Sequence, residues 1–187
     1  VTGTGGAVPE LDFPVPLTLS APQEQVVWEG AGDELVEGGP VLLRVYTESG
    51  ADGSVVRDDF ASVPVAYLMT PEEIGSELYA VLEGHAVGAR LMYAADTDGT
   101  PLVSTIDILP TSASGDVRAP EEGLPSVEHG EGGVPTVTIP EGVEPPAEPV
   151  VRQTIRGTGG QVASGQQVVI QLLAVRWSTG EVFDTTW

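Results

Sequence analysis

Neither cysteine nor lysine occurs in these 187 residues, and each absence removes a different class of function. Without a thiol there is no disulfide framework, no cysteine nucleophile and no thiolate metal site. Without lysine, all side-chain positive charge rests on seven arginines, set against 28 acidic residues for a net charge of −21. A surface of that sign is repelled by phosphate backbones, so nucleic acid is not expected as a partner. Nor is it drawn to anionic lipid. Aromatics are scarce at 5%, which makes the position of each one informative. No apolar run approaches the roughly 20 residues of a membrane span, so membrane attachment is expected only through an anchor outside the chain.

What is present is glycine and proline, 24 and 16 of them, spread among Val-rich runs. With 41% hydrophobic residues the chain can fold, and the punctuation favours a loop-rich, mainly β protein. The length allows one or two domains.

One stretch occurs twice. Gly30 to Phe60 lies over Gly157 to Trp187 without a gap, at a constant offset of 127 residues. The identities are Gly30/Gly157, Gly32/Gly159, Gly38/Gly165, Val41/Val168, Gly53/Gly180 and Val55/Val182. A repeat of this length implies two copies of one domain rather than a solenoid.

Read along the chain, residues 1–25 form a proline-broken extended lead. Val26–Trp28 and Pro40–Tyr46 are β-type, with a turn at Asp52-Gly53 into Ser54-Val55-Val56. The helix is expected at Thr70-Pro71-Glu72-Glu73, capped by Thr70, with Ile74, Leu78, Val81 and Leu82 at helical spacing and Gly84 as its stop. Strands at Arg90–Ala94 and Leu102–Leu109 are joined by Asp96-Thr97-Asp98-Gly99, completing a β-β-α-β-β unit over residues 1–110. Residues 111–134 are expected to be an extended Pro/Gly-rich linker. The second copy, 135–187, should carry strands at Val150–Ile155, Val168–Val175 and Glu181–Phe183. Each copy is expected to have its own proline-bearing lead strand, Pro9 to Pro14 and Pro135 to Pro140.

Several patterns have bland explanations. Asp96-Thr97-Asp98-Gly99 opens like a calcium loop but lacks the closing bidentate Glu, so a turn is expected and no metal. His85 and His129 have no serine and carboxylate around them; His85, beyond the helix end, suits the dipole. Gly-Thr-Gly-Gly at 3–6 and 157–160 lacks the strand-before, helix-after setting of a phosphate loop.

Trp177-Ser178-Thr179-Gly180-Glu181-Val182-Phe183-Asp184-Thr185-Thr186-Trp187 is different. It sets an aromatic and a carboxylate side by side after a turn, downstream of Gly157-Thr158-Gly159 and Gly165. This resembles the amino-terminal half of FKBP-type peptidyl-prolyl cis-trans isomerases, in which spaced glycines precede a strand, a tight turn and a Phe-Asp-Ser-Ser run. The layout is similar to tandem, secreted or lipid-anchored members of high-GC Gram-positive bacteria. In the first copy, Thr70 to Leu82 falls where the family has its one helix, Gly84 to Arg90 at the helix exit, and Leu102 to Leu109 at the closing strand.

The resemblance implies an α+β, mainly β fold, an antiparallel sheet wrapped on one short helix, with an incomplete second copy. It also implies isomerisation of X-Pro bonds in proline-containing polypeptide clients, outside the cytoplasm, with no cofactor. Phe183 and Asp184 take the catalytic positions, and Leu172 or Leu173 stands where the family has a strand Tyr. Leu172 and Trp187 join them as substrate-binding candidates. In the first copy Val56 and Arg57 replace Phe-Asp, Val65 a pocket aromatic, Leu78 the helix Trp and Ser104 a closing-strand Phe. Tyr46 keeps a pocket position if Gly39 is the glycine that precedes the strand. The first domain is therefore expected to be non-catalytic, and the second to be completed by a helix and a Tyr-Gly flap beyond Trp187. Two other readings stay open: a non-catalytic FKBP-like chaperone or peptide-binding module, and an unrelated cell-surface β-sandwich.

Overall fold

The structure, a computed structural model, describes residues 1–2, 6–130, 133–166 and 168–187. Gly3, Thr4 and Gly5 of the first Gly-Thr-Gly-Gly, Gly132 of the linker and Gln167 before the second copy's long strand lie outside the described residues. The chain divides into two units, Val1–Thr111 and Ser112–Trp187.

The first unit is built on a six-stranded antiparallel sheet. Its strands are β1 (Gln23–Trp28), β2 (Pro40–Ser49), β3 (Val55–Asp58), β4 (Val65–Leu68), β5 (Arg90–Thr97) and β6 (Thr100–Leu109). The order is β1-β5-β6-β2-β3, with β4 also pairing β2. β3 and β4 share one edge of β2: β3 pairs with Tyr46 to Glu48, and β4 with Pro40 to Leu43. They are thus one strand interrupted over residues 59–64. The β5–β6 connection is a two-residue turn, Asp98 (φ 52°) and Gly99 (φ 83°), closed by the Thr97/Thr100 pair. Asp96 Oδ1 accepts from the Gly99 N–H at 2.7 Å. Positive φ at both central positions is what a type I′ hairpin requires.

The fold is α+β and mainly β, with an antiparallel sheet packed on a short helical segment. That segment is two pieces, α1 (Pro71–Ile74) and α2 (Ser76–Leu82), parted at Gly75 (φ 79°, ψ 149°). This corrects the expected single helix: a glycine without a Cβ takes a conformation that breaks the ladder. Thr70 precedes α1 but makes no side-chain cap hydrogen bond. Gly84 (φ 77°) ends α2 in a turn closed by the His85 N–H on the Leu82 carbonyl at 3.2 Å. His85 Nε2 lies 3.5 Å from Glu24 Oε1 on β1. Val81 and Leu82 press onto alternate residues of the sheet, Val41, Leu43, Val45, Leu91, Ile106 and Ile108, to make the core.

Among its described residues the second unit holds three two-stranded pairs. β7 (Asp116–Val117) pairs β10 (Ile155–Arg156), β8 (Ser126–His129) pairs β9 (Pro135–Thr138), and β11 (Leu173–Val175) pairs β12 (Val182–Thr185). Among the described residues, every buried hydrophobic side chain lies in the first unit. Three expectations are corrected here. Residues 111–134, read as linker, hold β7 and β8. The strands expected at Val150–Ile155 and Val168–Val175 shrink to Ile155–Arg156 and Leu173–Val175; among the described residues Val168, Val169 and Ile170 pair with no strand and are exposed. Of the two lead strands, Pro135–Thr138 forms, whereas among the described residues the stretch from Pro9 to Pro14 makes the isolated Thr2/Glu10 bridge and no strand.

Candidate functional site

The repeated hairpin is where sequence and structure meet. In the first unit Tyr46 faces Asp58, Thr47 faces Arg57, and Glu48 faces Val55, with a register shift between Thr47 and Glu48. In the second, Leu173 faces Thr185, Ala174 faces Asp184, and Val175 faces Val182, with a shift between Ala174 and Val175. Every pair, and the bulge, matches at the same 127-residue offset. The turns match as well: Gly53 and Gly180 donate to Ser49 and Arg176 carbonyls, both at 2.8 Å, with φ of 75° and 73°. Left-handed backbone at that point favours glycine, which explains why this position is identical where most others are not. Asp52 and Thr179 each accept from the N–H two residues on, at 3.0 and 3.3 Å, so different side chains brace the same turn.

The bulge leaves Phe183 and Asp184 adjacent on β12, all four residues of which are exposed. Phe183 is 63% exposed and its counterpart Val56 57%, so both hairpins turn this side chain outward. Among the described residues Asp184 takes part in no ion pair. Leu172 is exposed and bonded through its backbone to Thr186; Leu173 holds the register position of Tyr46. Trp187 follows at the end of the hairpin, partly exposed, its N–H on Thr185 Oγ1 at 3.1 Å. Phe183, Asp184 and Trp187 thus share one hairpin end, while Tyr46 belongs to the other hairpin.

The first hairpin's equivalent end is occupied. Arg57, in the place of Asp184, is bound by Asp59, with its Nη2 2.7 Å from Oδ2. That bond holds the guanidinium pKa above its ordinary value. Tyr46 is buried, meets Phe60 edge-on with ring centroids 6.5 Å apart, and donates its hydroxyl to Glu48 Oε1 at 2.9 Å. Burial first, and then that carboxylate, push its pKa up to about 12.

Phe60 links Tyr46 to a cluster that sequence reading missed. Arg90 is fully buried, donates from Nε and Nη2 to the Asp107 carboxylate, and lies 4.4 Å from the Trp28 ring centre. Arg44 lies 5.1 Å from the Phe60 ring centre. No sequence signal marks it, since Arg44, Asp107 and Arg90 become successive neighbours only through the pairing of β2, β6 and β5. A bidentate, desolvated ion pair under an aromatic face is a structural anchor. The other expected replacements sit in the packing: Leu78 is packed against the core, Val65 pairs Leu43, and Ser104 Oγ shares a hydrogen bond with Thr47 Oγ1 at 2.9 Å.

The second unit also has an open groove of about 570 Å³, lined by Leu124, Pro125, Pro146 and Trp177 together with the charged Glu148 and Arg152. Trp177 Nε1 donates to the Val143 carbonyl at 3.0 Å. Phe183 and Asp184 are not among the groove's residues.

No family model matches the chain. A curated relative, an "FK506-binding protein" of Streptomyces anulatus, is 40% identical over 53 residues, which are 28% of this chain and 42% of that protein. The chain thus spans less than half the length of the relative it matches. Among solved structures, the N-terminal domain of FKBP42 from Arabidopsis thaliana covers 56% of this chain and 97% of its own length at 12% identity and a TM-score of 0.41. A peptidyl-prolyl cis-trans isomerase from Pseudomonas syringae covers 48% of this chain and 74% of its own length at 17% identity and a TM-score of 0.38.

Proposed function

We propose that the protein is an FKBP-type peptidyl-prolyl cis-trans isomerase whose chemistry belongs to the second unit, with Phe183 and Asp184 at its centre. The observation that carries this reading is their placement: an aromatic and a carboxylate that, among the described residues, joins no ion pair, side by side on the exposed strand of a glycine-braced hairpin. The matched stretch of a protein named for FK506 binding supports it. Rotation about an X-Pro bond needs no nucleophile. The barrier of roughly 18–20 kcal/mol comes from amide resonance, which the twisted transition state has lost. A twisted amide is less polar than a planar one, so an apolar aromatic wall favours it over the ground state. Phe183, with Leu172 and Trp187, supplies such a wall. The Asp184 carboxylate accepts a hydrogen bond from the client backbone and orients it.

The first unit, in this reading, is a non-catalytic partner domain. Its hairpin carries Val56 and a neutralised Arg57, and Tyr46 is engaged with Glu48 and Phe60. The tandem arrangement and a site of action outside the cytoplasm belong to the same proposal, supported by the matching hairpins and by the resemblance to secreted members. Clients are proline-containing polypeptides. A second reading, a holding module for partly unfolded chains, is favoured by the exposed Val168, Val169, Ile170 and Phe183.

The test is a protease-coupled assay on proline peptides with the intact protein and its Phe183→Ala, Asp184→Ala and Arg57→Ala variants. Loss of turnover in the first two, and none in the third, is the expected result. Equal turnover in all would place the site elsewhere. No turnover in any, with refolding assistance retained, favours the holding module.

A further inference from the structure

Both hairpins are closed by a bond between a side chain and the facing backbone, and different residues make it. In the first, the Asp59 N–H donates to the Val45 carbonyl at 3.0 Å, and Asp59 Oδ2 accepts from the Val45 N–H at 2.9 Å. In the second, the Thr186 N–H donates to the Leu172 carbonyl at 2.9 Å, and Thr186 Oγ1 accepts from the Leu172 N–H at 2.8 Å. Asp59 corresponds to Thr186 and Val45 to Leu172 at the common offset.

The need is physical. Beyond the Tyr46/Asp58 and Leu173/Thr185 pairs the ladder stops, and the next N–H on the long strand has no strand residue opposite it. In the first hairpin this N–H is buried, where an unpaired donor is costly; in the second it is exposed, and the hydroxyl takes the place of water while tying the two strands together. A carboxylate or a hydroxyl serves equally, which is why sequence identity does not reveal the device.

The two choices differ in charge, and the difference tracks the residue two positions earlier. Asp59 stands beside Arg57 and binds it. Thr186 is uncharged and stands two residues after Asp184. We infer that Thr186 is a positioning residue that locks the end of β12 to Leu172, fixing Phe183 and Asp184 in place without adding a second carboxylate next to Asp184. Its connection with catalysis rests on the function proposed above; the lock itself rests on the hydrogen bonds.

The experiment reads amide hydrogen exchange at Leu172 in the chain and in Thr186→Val, Thr186→Ser and Thr186→Asp variants, with proline-peptide turnover of the intact protein measured in parallel. Thr186→Val should speed exchange at Leu172 by about tenfold. The Arg176 amide, at the other end of the hairpin and bonded to the Glu181 carbonyl at 2.9 Å, should keep its protection. Thr186→Ser should restore Leu172. Thr186→Asp should restore it too at neutral pH, but not at acid pH. Its carboxylate would be held in the ionised form by the N–H, so protection is present above the carboxylate range and lost as pH falls through it. Turnover in Thr186→Asp should fall although the lock holds, because two carboxylates then repel. Unchanged Leu172 exchange in Thr186→Val, or no rescue by Ser, overturns the lock. Equal loss at Leu172 and Arg176 overturns it as a local device. A locked hairpin with no turnover even in the parent protein leaves the lock standing and counts against the isomerase reading instead.

Discussion

Leu43 and Ile170 hold equivalent positions in the two copies, just before the matching hairpins, yet Leu43 is sealed in the core and Ile170 is 72% exposed. Val41 and Val168 repeat the contrast, at 0% and 54%. The hairpins agree in register, bulge and turn, and the difference begins beyond that shared part, where Val41 and Leu43 lie in β2 while Val168 and Ile170 precede β11 in no strand. It comes from what covers the long strand: in the first unit β6 on one edge, β4 on the other and α2 on the face. Hairpin geometry is therefore written locally in glycines and short polar braces, whereas burial is supplied by distant segments.

Breaking the anchor should have the largest effect. Asp107→Ala leaves the fully buried Arg90 charge unpaired, and should destabilise the first unit by about 3–5 kcal/mol in chemical unfolding. The second hairpin's amide exchange should not respond. The paired truncations come next. Leu43→Ala should cost about 2–5 kcal/mol, while Ile170→Ala should stay within about 0.5 kcal/mol. Equal costs would contradict the burial contrast.

Not all of this was legible in the sequence. The glycine spacing and the Phe-Asp run located the hairpin, its turn and the aligned copy, because a left-handed turn position leaves a mark in residue type. Asp98-Gly99 was readable as a turn for the same reason. The Thr70 cap and an unbroken helix were not delivered, since Gly75 takes a conformation that sequence spacing does not report. The strands expected across 150–155 and 168–175 were read from Val-rich composition, which records a tendency to pair but not the presence of a partner. The Arg90–Asp107 anchor and the Asp59/Thr186 lock depend on cross-strand register, which only the fold specifies.

A third prediction sharpens the likeness rather than the contrast. Gly53→Ala and Gly180→Ala each force a Cβ into left-handed backbone, and each should weaken its hairpin by roughly 1–2 kcal/mol. Local amide exchange at Ser49 and Arg176 reads the two effects, which should be similar.

The smallest effect separates the hairpins by pH. Tyr46 titrates at about 12 in the folded first unit, against an ordinary value of 10.0. Its contribution is complete below the unfolded value and is lost as pH rises from 10.0 to about 12. Burial raises Tyr79 and Tyr93 in the same direction. Alkaline unfolding of Tyr46→Phe should show a shallower fall in stability over that range. Leu173, in the equivalent place, has nothing to titrate.

Exchanging the short runs between hairpins tests the central claim most directly. One variant carries Phe183→Val with Asp184→Arg, the other Val56→Phe with Arg57→Asp, and both are assayed for proline-peptide isomerisation in the intact protein. The account predicts that the first exchange abolishes turnover and the second leaves it unchanged. Turnover that survives the first exchange, or is lost with the second, would contradict it.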